Sequence, residues 1–290
     1  MYYYILNPAA GKGSVNNMQE KLRARLRELS IEGEFAKTTG PGDATKMAKQ
    51  AIERGHTTIV VVGGDGTVNE VVNGVTKDNV AVGIVPVGNS NSLAHRLGIT
   101  SWQQACEVLA ARRITSYGLI AAGQKYFLST LTLGFETDLD KQVETAPDTS
   151  LSGRLGKFAR GWSQAQDYQP LKCKIVIDEQ LELEAPAFSL SVTNQKFDDP
   201  LADNKLMVTL VDKPNRRQTA SHLWNMLKKD AIEEGVTRFS AKRVVIETTP
   251  PTGLMIDGKV SGRTPIAIRL TNKQIRFITE KQHTSFKPTV

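Results

Sequence analysis

The residues best suited to chemistry in this chain stand together in Gly63-Gly64-Asp65-Gly66-Thr67, followed at once by Asn69 and Glu70. Gly63, Gly64 and Gly66 have no side chain to hold a ligand away from the main chain. The β-branched, apolar run Thr57–Val62 before them reads as a strand covered on both faces. Thr67 reads as the cap of a helix whose first turn carries Asn69 and Glu70. A helix start with unpaired amides binds anions, phosphate above all. Asp65 is out of place in such a cradle unless a cation lies between it and the phosphates. The segment therefore points to a magnesium-bound nucleotide.

Other segments admit chemistry less directly. Asn7–Gly13 (NPAAGKG) resembles a phosphate loop, but Leu6 and Gly13 break the Walker pattern and Asn16 breaks GxGxxG. An ordinary strand-to-helix turn is the alternative. Thr38, within TTGPGDAT, suits a local turn hydrogen bond. In Pro86–Ser92 (PVGNSNS), the Asn89 amide suits hydrogen bonding to phosphate or adenine. Asp257-Gly258, between two short apolar runs, is first of all a hairpin turn. Asp198, Asp199 and Asp203 read as solvated loop acids, and His56, His95, His222 and His283 show no metal-ligand spacing.

The elements that must position these residues alternate over the first 110 positions. Strands are expected at Tyr2–Leu6, Gly33–Lys37, Thr57–Val62 and Val80–Val85, with helices at Val15–Ser30, Asp43–Arg54, Ser92–Leu97 and Ser101–Ala111. Asp43, Ser92 and Ser101 are the expected caps. This alternation implies a parallel sheet with ligands at the carboxyl ends of its strands. After Ile114 short strand-like runs dominate: Ile114–Ile120, Tyr126–Leu133, Lys172–Asp178, Phe188–Thr193, Leu206–Val211, Val244–Glu247, Gly253–Ile256, Pro265–Thr271 and Gln274–Ile278. Helices are expected at Ser152–Asp167 and Thr219–Ile232. The fold class is therefore an α/β nucleotide-binding domain over 1–125 and a β-rich, antiparallel sandwich over 126–290, its tail returning to the first domain.

The chain has 290 residues, enough for two cores, and 40% hydrophobic residues suit a globular protein. No apolar run reaches the length of a membrane span. Two cysteines, Cys106 and Cys173, suit a reducing cytoplasm rather than a disulfide framework. The net charge of +7 favours an anionic partner: nucleotide or an acidic membrane face, with no motif for nucleic acid. Leu151, Leu155, Phe158 and Trp162 form a helical stripe flanked by Arg154, Lys157 and Arg160, fit to pack on its own domain or to lie on lipid.

Taken in order, NPAAGKG, PGDAT, GGDGT with NEVVNG, PVGNSNSLAHRLGI, LGF and IDGK resemble the diacylglycerol kinase catalytic family. The likeness is to its bacterial lipid kinase branch, related to sphingosine and ceramide kinases and more distantly to NAD kinases. It implies an ATP- and Mg²⁺-dependent kinase acting on a lipid hydroxyl, diacylglycerol or a similar lipid, in a cleft between two domains. It places Asn7, Thr38, Gly63, Gly64, Asp65, Gly66, Thr67, Asn69, Glu70, Gly88, Asn89 and Asn91 about the nucleotide, with Asp65 acting on the phosphates through Mg²⁺ or water. Two departures stand out. Ser92 replaces an aspartate, and Lys259 replaces the glutamate proposed as proton acceptor. A lysine of ordinary pKa, about 10.4, cannot take a proton at neutral pH, so Asp257 is left as base or hydroxyl orienter. A distant metal site in the family would fall to Asp203 with the carbonyls of Pro200 and Lys205. The implied setting is cytoplasmic, peripheral at the inner membrane face, with a homodimer open. The alternatives are a catalytically degenerate nucleotide- or lipid-binding protein and a NAD kinase-like enzyme.

Overall fold

A computed structural model describes residues 1–88, 91–135, 137–138, 165, 167–198, 204–213 and 235–280. Strands and helices alternate first: β1 (Tyr2–Leu6), α1 (Ser14–Glu28), β2 (Gly33–Lys37), α2 (Asp43–Glu53), β3 (Thr58–Gly63), α3 (Asp65–Gly74), β4 (Ala81–Pro86), α4 (Ser92–Arg96) and α5 (Trp102–Ala111). Strands β2, β1, β3 and β4 lie side by side and parallel. Every residue of β3 and β4 is buried, as continuous apolar runs require of strands covered on both faces. The carboxyl ends of these four strands deliver Asn7, Thr38, Gly64 and Val87 to one edge of the sheet.

The later strands are β5 (Ile114–Ala122), β6 (Lys125–Phe127), β7 (Thr130–Gly134), β8 (Leu171–Ile177), β9 (Leu181–Ala187), β10 (Ser189–Asn194), β11 (Leu206–Val211), β12 (Val236–Ala241), β13 (Arg243–Thr249), β14 (Gly253–Ile256), β15 (Lys259–Arg263) and β16 (Ile266–Ile278). Among the described residues they form a separate antiparallel sheet in the order β12-β11-β10-β7-β14-β15, and they extend the first sheet through β16, β13, β8 and β9. Strand β16 joins the two lobes. Its first half pairs antiparallel with β13, and its last residues pair parallel with β4 through Arg276 and Phe277. Ile268 lies in the core of the second lobe, while Ile275, Phe277 and Ile278 lie in that of the first.

Several boundaries differ from the sequence reading. Tyr126–Leu133 is two strands, interrupted at Leu128 and Ser129, and Pro265–Thr271 with Gln274–Ile278 is one strand carrying an irregular register between Leu270 and Gln274. Strand β9 was not foreseen because it is charged and mostly exposed, as an outer strand of a sheet should be. Asp43 is not the cap of α2: Gly42 holds that position, and the Asp43 carboxylate accepts from Thr39 and Gly40 amides. Ser101 does cap α5, accepting from the Gln104 amide at 3.2 Å. The expected helix at Thr219–Ile232, nearly all of the one at Ser152–Asp167, and the Leu151–Trp162 stripe lie outside the described residues.

Candidate active site

A cavity of about 660 Å³ opens where the parallel strands end. Its walls are Asn7–Gly11 after β1, Thr38–Pro41 and Ala44 after β2, Gly64, Gly66, Thr67 and Glu70 at the start of α3, and Gly88 after β4. Gly258 and Lys259 close it from the second lobe. Two of the glycine turns touch: a Cβ on Gly88 would lie 2.6 Å from the Gly64 Cα. Only glycines permit this approach, and it leaves main chain as the cavity wall. Asn7 braces the arrangement, its Nδ2 donating to Thr67 Oγ1 at 2.9 Å and its Oδ1 accepting from the Ala9 amide at 3.0 Å. Thr67 is thus a buried bracing residue within α3; the helix cap is Gly64.

Asp65 is not among the cavity-lining residues. Its two carboxylate oxygens accept from the Ser92 and Leu93 amides, each at 2.9 Å. It therefore caps α4 from a different segment of the chain, where a negative charge is favoured. Ser92, expected to be that cap, is the first residue of α4 instead. An ionised carboxylate has about four acceptor sites, so Asp65 holds the loop and retains acceptor capacity. Asn91 also works internally: its Oδ1 accepts from Gly88 N at 2.8 Å and its Nδ2 donates to Gly88 O at 2.7 Å. Asn89 lies outside the described residues.

Glu70 joins three segments. Its Oε2 accepts from the Gly42 amide at 3.0 Å, its carbonyl from Thr45 Oγ1 at 2.7 Å, and its Oε1 from Lys259 Nζ at 2.6 Å. The Glu70 side chain is only 15% exposed and that of Lys259 40%. The lysine thus carries a cation to the cavity at the position where the resemblance expects a carboxylate, and its stem passes over Gly66. Thr38 lines the cavity, and its amide donates to Leu6 O at 2.9 Å.

Asp257 stands at the β14–β15 hairpin, with φ of 46° there and 77° at Gly258. This is the turn geometry for which an aspartate-glycine pair is suited. Its Oδ2 accepts from the Leu128 amide at 2.8 Å and from Asn69 Nδ2 at 3.4 Å. Its Oδ1 accepts from the Ser129 and Thr130 amides at 2.9 and 3.0 Å. Burial pushes its pKa above the usual carboxylate value, and these amide donors pull against that rise. The break at Leu128 and Ser129, between β6 and the start of β7, frees these amides, and no glycine or proline marks it. Asn73 was also missed. It clamps β6, accepting from Tyr126 N at 2.8 Å and donating to Tyr126 O at 2.9 Å. Its spacing from Asn69, one turn apart on α3, was the available signal.

Asp203 and Pro200 of the expected distant metal site lie outside the described residues. The Lys205 carbonyl accepts from the Gln195 amide at 3.3 Å. Among the described residues no three His, Cys, Asp or Glu side chains group as a metal site. Glu70 is the one carboxylate among the described residues that line the cavity, and Lys259 is paired with it.

The family model of the diacylglycerol kinase catalytic domain matches residues 1–122. The diacylglycerol kinase of Bacillus subtilis (strain 168) is 28% identical over 278 residues, covering 90% of this chain and 90% of that protein. The diacylglycerol kinase of Staphylococcus haemolyticus (strain JCSC1435) is 26% identical, over 96% of this chain and 87% of its own. The crystal structure of a diacylglycerol kinase from Bacillus anthracis str. Sterne shares the fold over 96% of each chain, with a TM-score of 0.70 at 21% identity. A further crystal structure from that strain gives a TM-score of 0.74 at 24% identity, again over 96% of each chain. The resemblance carried by the motifs, and the two-part fold it implies, are borne out.

Proposed function

We propose that this chain, whose sequence and fold resemble the diacylglycerol kinases, transfers the γ-phosphoryl group of ATP to a hydroxyl of diacylglycerol or a similar lipid. One observation carries the reading. The touching turns of Gly64 and Gly88 make one wall of the cavity from main chain, and Gly258 and Lys259 of the β14–β15 hairpin close it from the other lobe. Phosphoryl transfer needs positioning and charge neutralisation more than covalent chemistry. Mg²⁺, when bound with the nucleotide, supplies neutralisation of the phosphates. The amides of Gly64 and Gly66 cradle the phosphates, and Asn7 and Thr38 border the same space. Asp65 fixes the facing loop, and the Lys259 ammonium offsets negative charge inside the cavity. Asp257, joined to α3 through the long Asn69 bond, accepts the proton of the acceptor hydroxyl at Oδ2 when the hydroxyl displaces that bond. Its raised pKa suits a base, because proton transfer is most effective when the pKa approaches the working pH.

The lipid must leave its bilayer at least in part. The chain's net charge of +7 supports docking on an anionic leaflet, at about 1 kcal/mol for each well-placed Lys or Arg. Among the described residues no helix is long and apolar enough to cross a membrane.

A second reading is supported by the engagement of three carboxylates near the cavity: Asp65 by two amides, Glu70 by Lys259, Asp257 by three amides and Asn69. It is a protein that binds nucleotide or lipid without turnover. Incubation of the chain with labelled ATP, Mg²⁺ and a lipid extract, with mass analysis of the product, separates the two. A phosphorylated lipid supports the kinase; nucleotide binding with no transfer supports the binding protein. Transfer to NAD and not to lipid replaces both with a NAD kinase-like activity.

A further inference from the structure

A second cavity, of about 600 Å³, lies away from the glycine turns. It forms where β16 passes from one lobe to the other. Ile275 and Phe277 of this strand point into the core, so Gln274 and Arg276 between and beside them must face outward. Arg276 pairs in register with Ser116 of β5, and next to Ser116 along that face Gly118 leaves space that no side chain fills. The irregular register between Leu270 and Gln274 turns Lys273 outward, where its Nζ lies 4.7 Å from the centre of the Tyr126 ring. Arg269 lines the cleft from the half of β16 that pairs with β13.

Three cations, Arg269, Lys273 and Arg276, thus line this cleft against the single carboxylate of Asp78. Among the described residues none of the three is in an ion pair; Arg276 reaches only the Asn79 carbonyl, at 3.4 Å. Unpaired guanidinium groups beside a hydroxyl are the arrangement that recognises phosphate, through paired N–H donors. The volume exceeds a bare phosphate and falls in the range of small-molecule sites. We infer that this cleft is a second anion site, which binds a phosphomonoester, either as a free small molecule or as a lipid headgroup. The ligand would contact both lobes at once, Arg269 from one and Arg276 from the other. It would also lie on Tyr126, whose strand leads directly into the amides that hold Asp257.

The site is independent of phosphoryl transfer, so its test needs no turnover. Among the described residues no arginine lines the glycine-turn cavity. The Arg269 and Arg276 Nε–H resonances therefore report the second cleft alone. They are followed by NMR on the full chain during titration with glycerol phosphate, and with phosphatidylcholine vesicles containing or lacking phosphatidic acid. Saturable shifts of both resonances are expected with glycerol phosphate or with the phosphatidic acid vesicles. A response to glycerol phosphate assigns a soluble ligand; a response confined to the anionic vesicles assigns a lipid headgroup. Ser116→Glu, an exposed substitution that adds a carboxylate to the cleft, should weaken the response at least about tenfold. Arg269→Gln with Arg276→Gln should abolish the binding that calorimetry measures for the responding ligand. Resonances unmoved by either ligand, or a Ser116→Glu titration matching the wild type, overturn the proposal.

Discussion

Replacing Gly88 with alanine puts one methyl group between the two glycine turns. That Cβ would lie 2.6 Å from the Gly64 Cα, 2.9 Å from Asn91 Oδ1 and 3.3 Å from the Gly64 nitrogen. Carbon atoms in contact prefer about 3.5–4.0 Å, so the turns must separate by about 1 Å. The nearest atom is main chain, so no flexible side chain can yield in its place. Overpacking of this kind costs about 1–3 kcal/mol of stability. A displacement of about 1 Å at a phosphate cradle costs about 100-fold in rate. Gly64→Ala makes the milder contact, 3.2 Å to the Gly88 Cα, and should do less damage. Gly118→Ala, where a Cβ meets nothing within 4 Å, is the control and should leave nucleotide binding unchanged. The assay is calorimetric binding of Mg-ATP together with initial rates of lipid phosphorylation, alongside thermal melts to separate folding from function. The expected order of loss is Gly88→Ala, then Gly64→Ala, then Gly118→Ala. Wild-type affinity and rate in Gly88→Ala would refute the reasoning that these turns form the phosphate wall.

Other outcomes follow from the same geometry. Asp257→Asn should lower the rate by about 10²–10⁴-fold if Asp257 is the base, and should destabilise the fold by about 1–3 kcal/mol because an amide NH₂ then faces backbone N–H donors. The base works only when deprotonated, and burial raises its pKa. Activity should therefore fall with decreasing pH at values above the ordinary carboxylate range near ~3.9; a pH–rate profile retaining that limb in Asp257→Asn would contradict the role. Lys259→Met should weaken Mg-ATP binding by releasing the Glu70 charge into the cavity, whereas Lys259→Met with Glu70→Gln should restore part of it. The pair itself, with Lys259 40% exposed, should contribute no more than about 1 kcal/mol to stability. Asp65→Ala should accelerate hydrogen exchange at Ser92 and Leu93 and cost about 1 kcal/mol; unchanged exchange there would show that the cap is not formed in solution.

The parallel half of the fold was legible because local pattern and tertiary role agree there. Thr58–Gly63 and Ala81–Pro86 are apolar apart from Thr58 and buried throughout, and glycine follows each where main chain must approach main chain. The side-chain partnerships were not legible. Asp65 looks like a residue for metal and phosphate, but its oxygens are held by amides 27 and 28 positions away. Asp257 reads as a hairpin residue, and it is one; the amides that receive its carboxylate lie 127 to 129 positions earlier, in a strand break with no glycine or proline to mark it. Lys259 read as the loss of a base. Its pairing with Glu70 connects the two lobes across 189 positions, and no local spacing encodes that.

The most direct measurement is a crystal structure of the chain with magnesium and a non-hydrolysable ATP analogue. The predicted result is β- and γ-phosphates against the main-chain amides of Gly64 and Gly66, along the wall that Gly88 completes, with the γ-phosphate on the side facing the Asp257 hairpin. A nucleotide seated elsewhere, or phosphates turned away from those glycines, would contradict it.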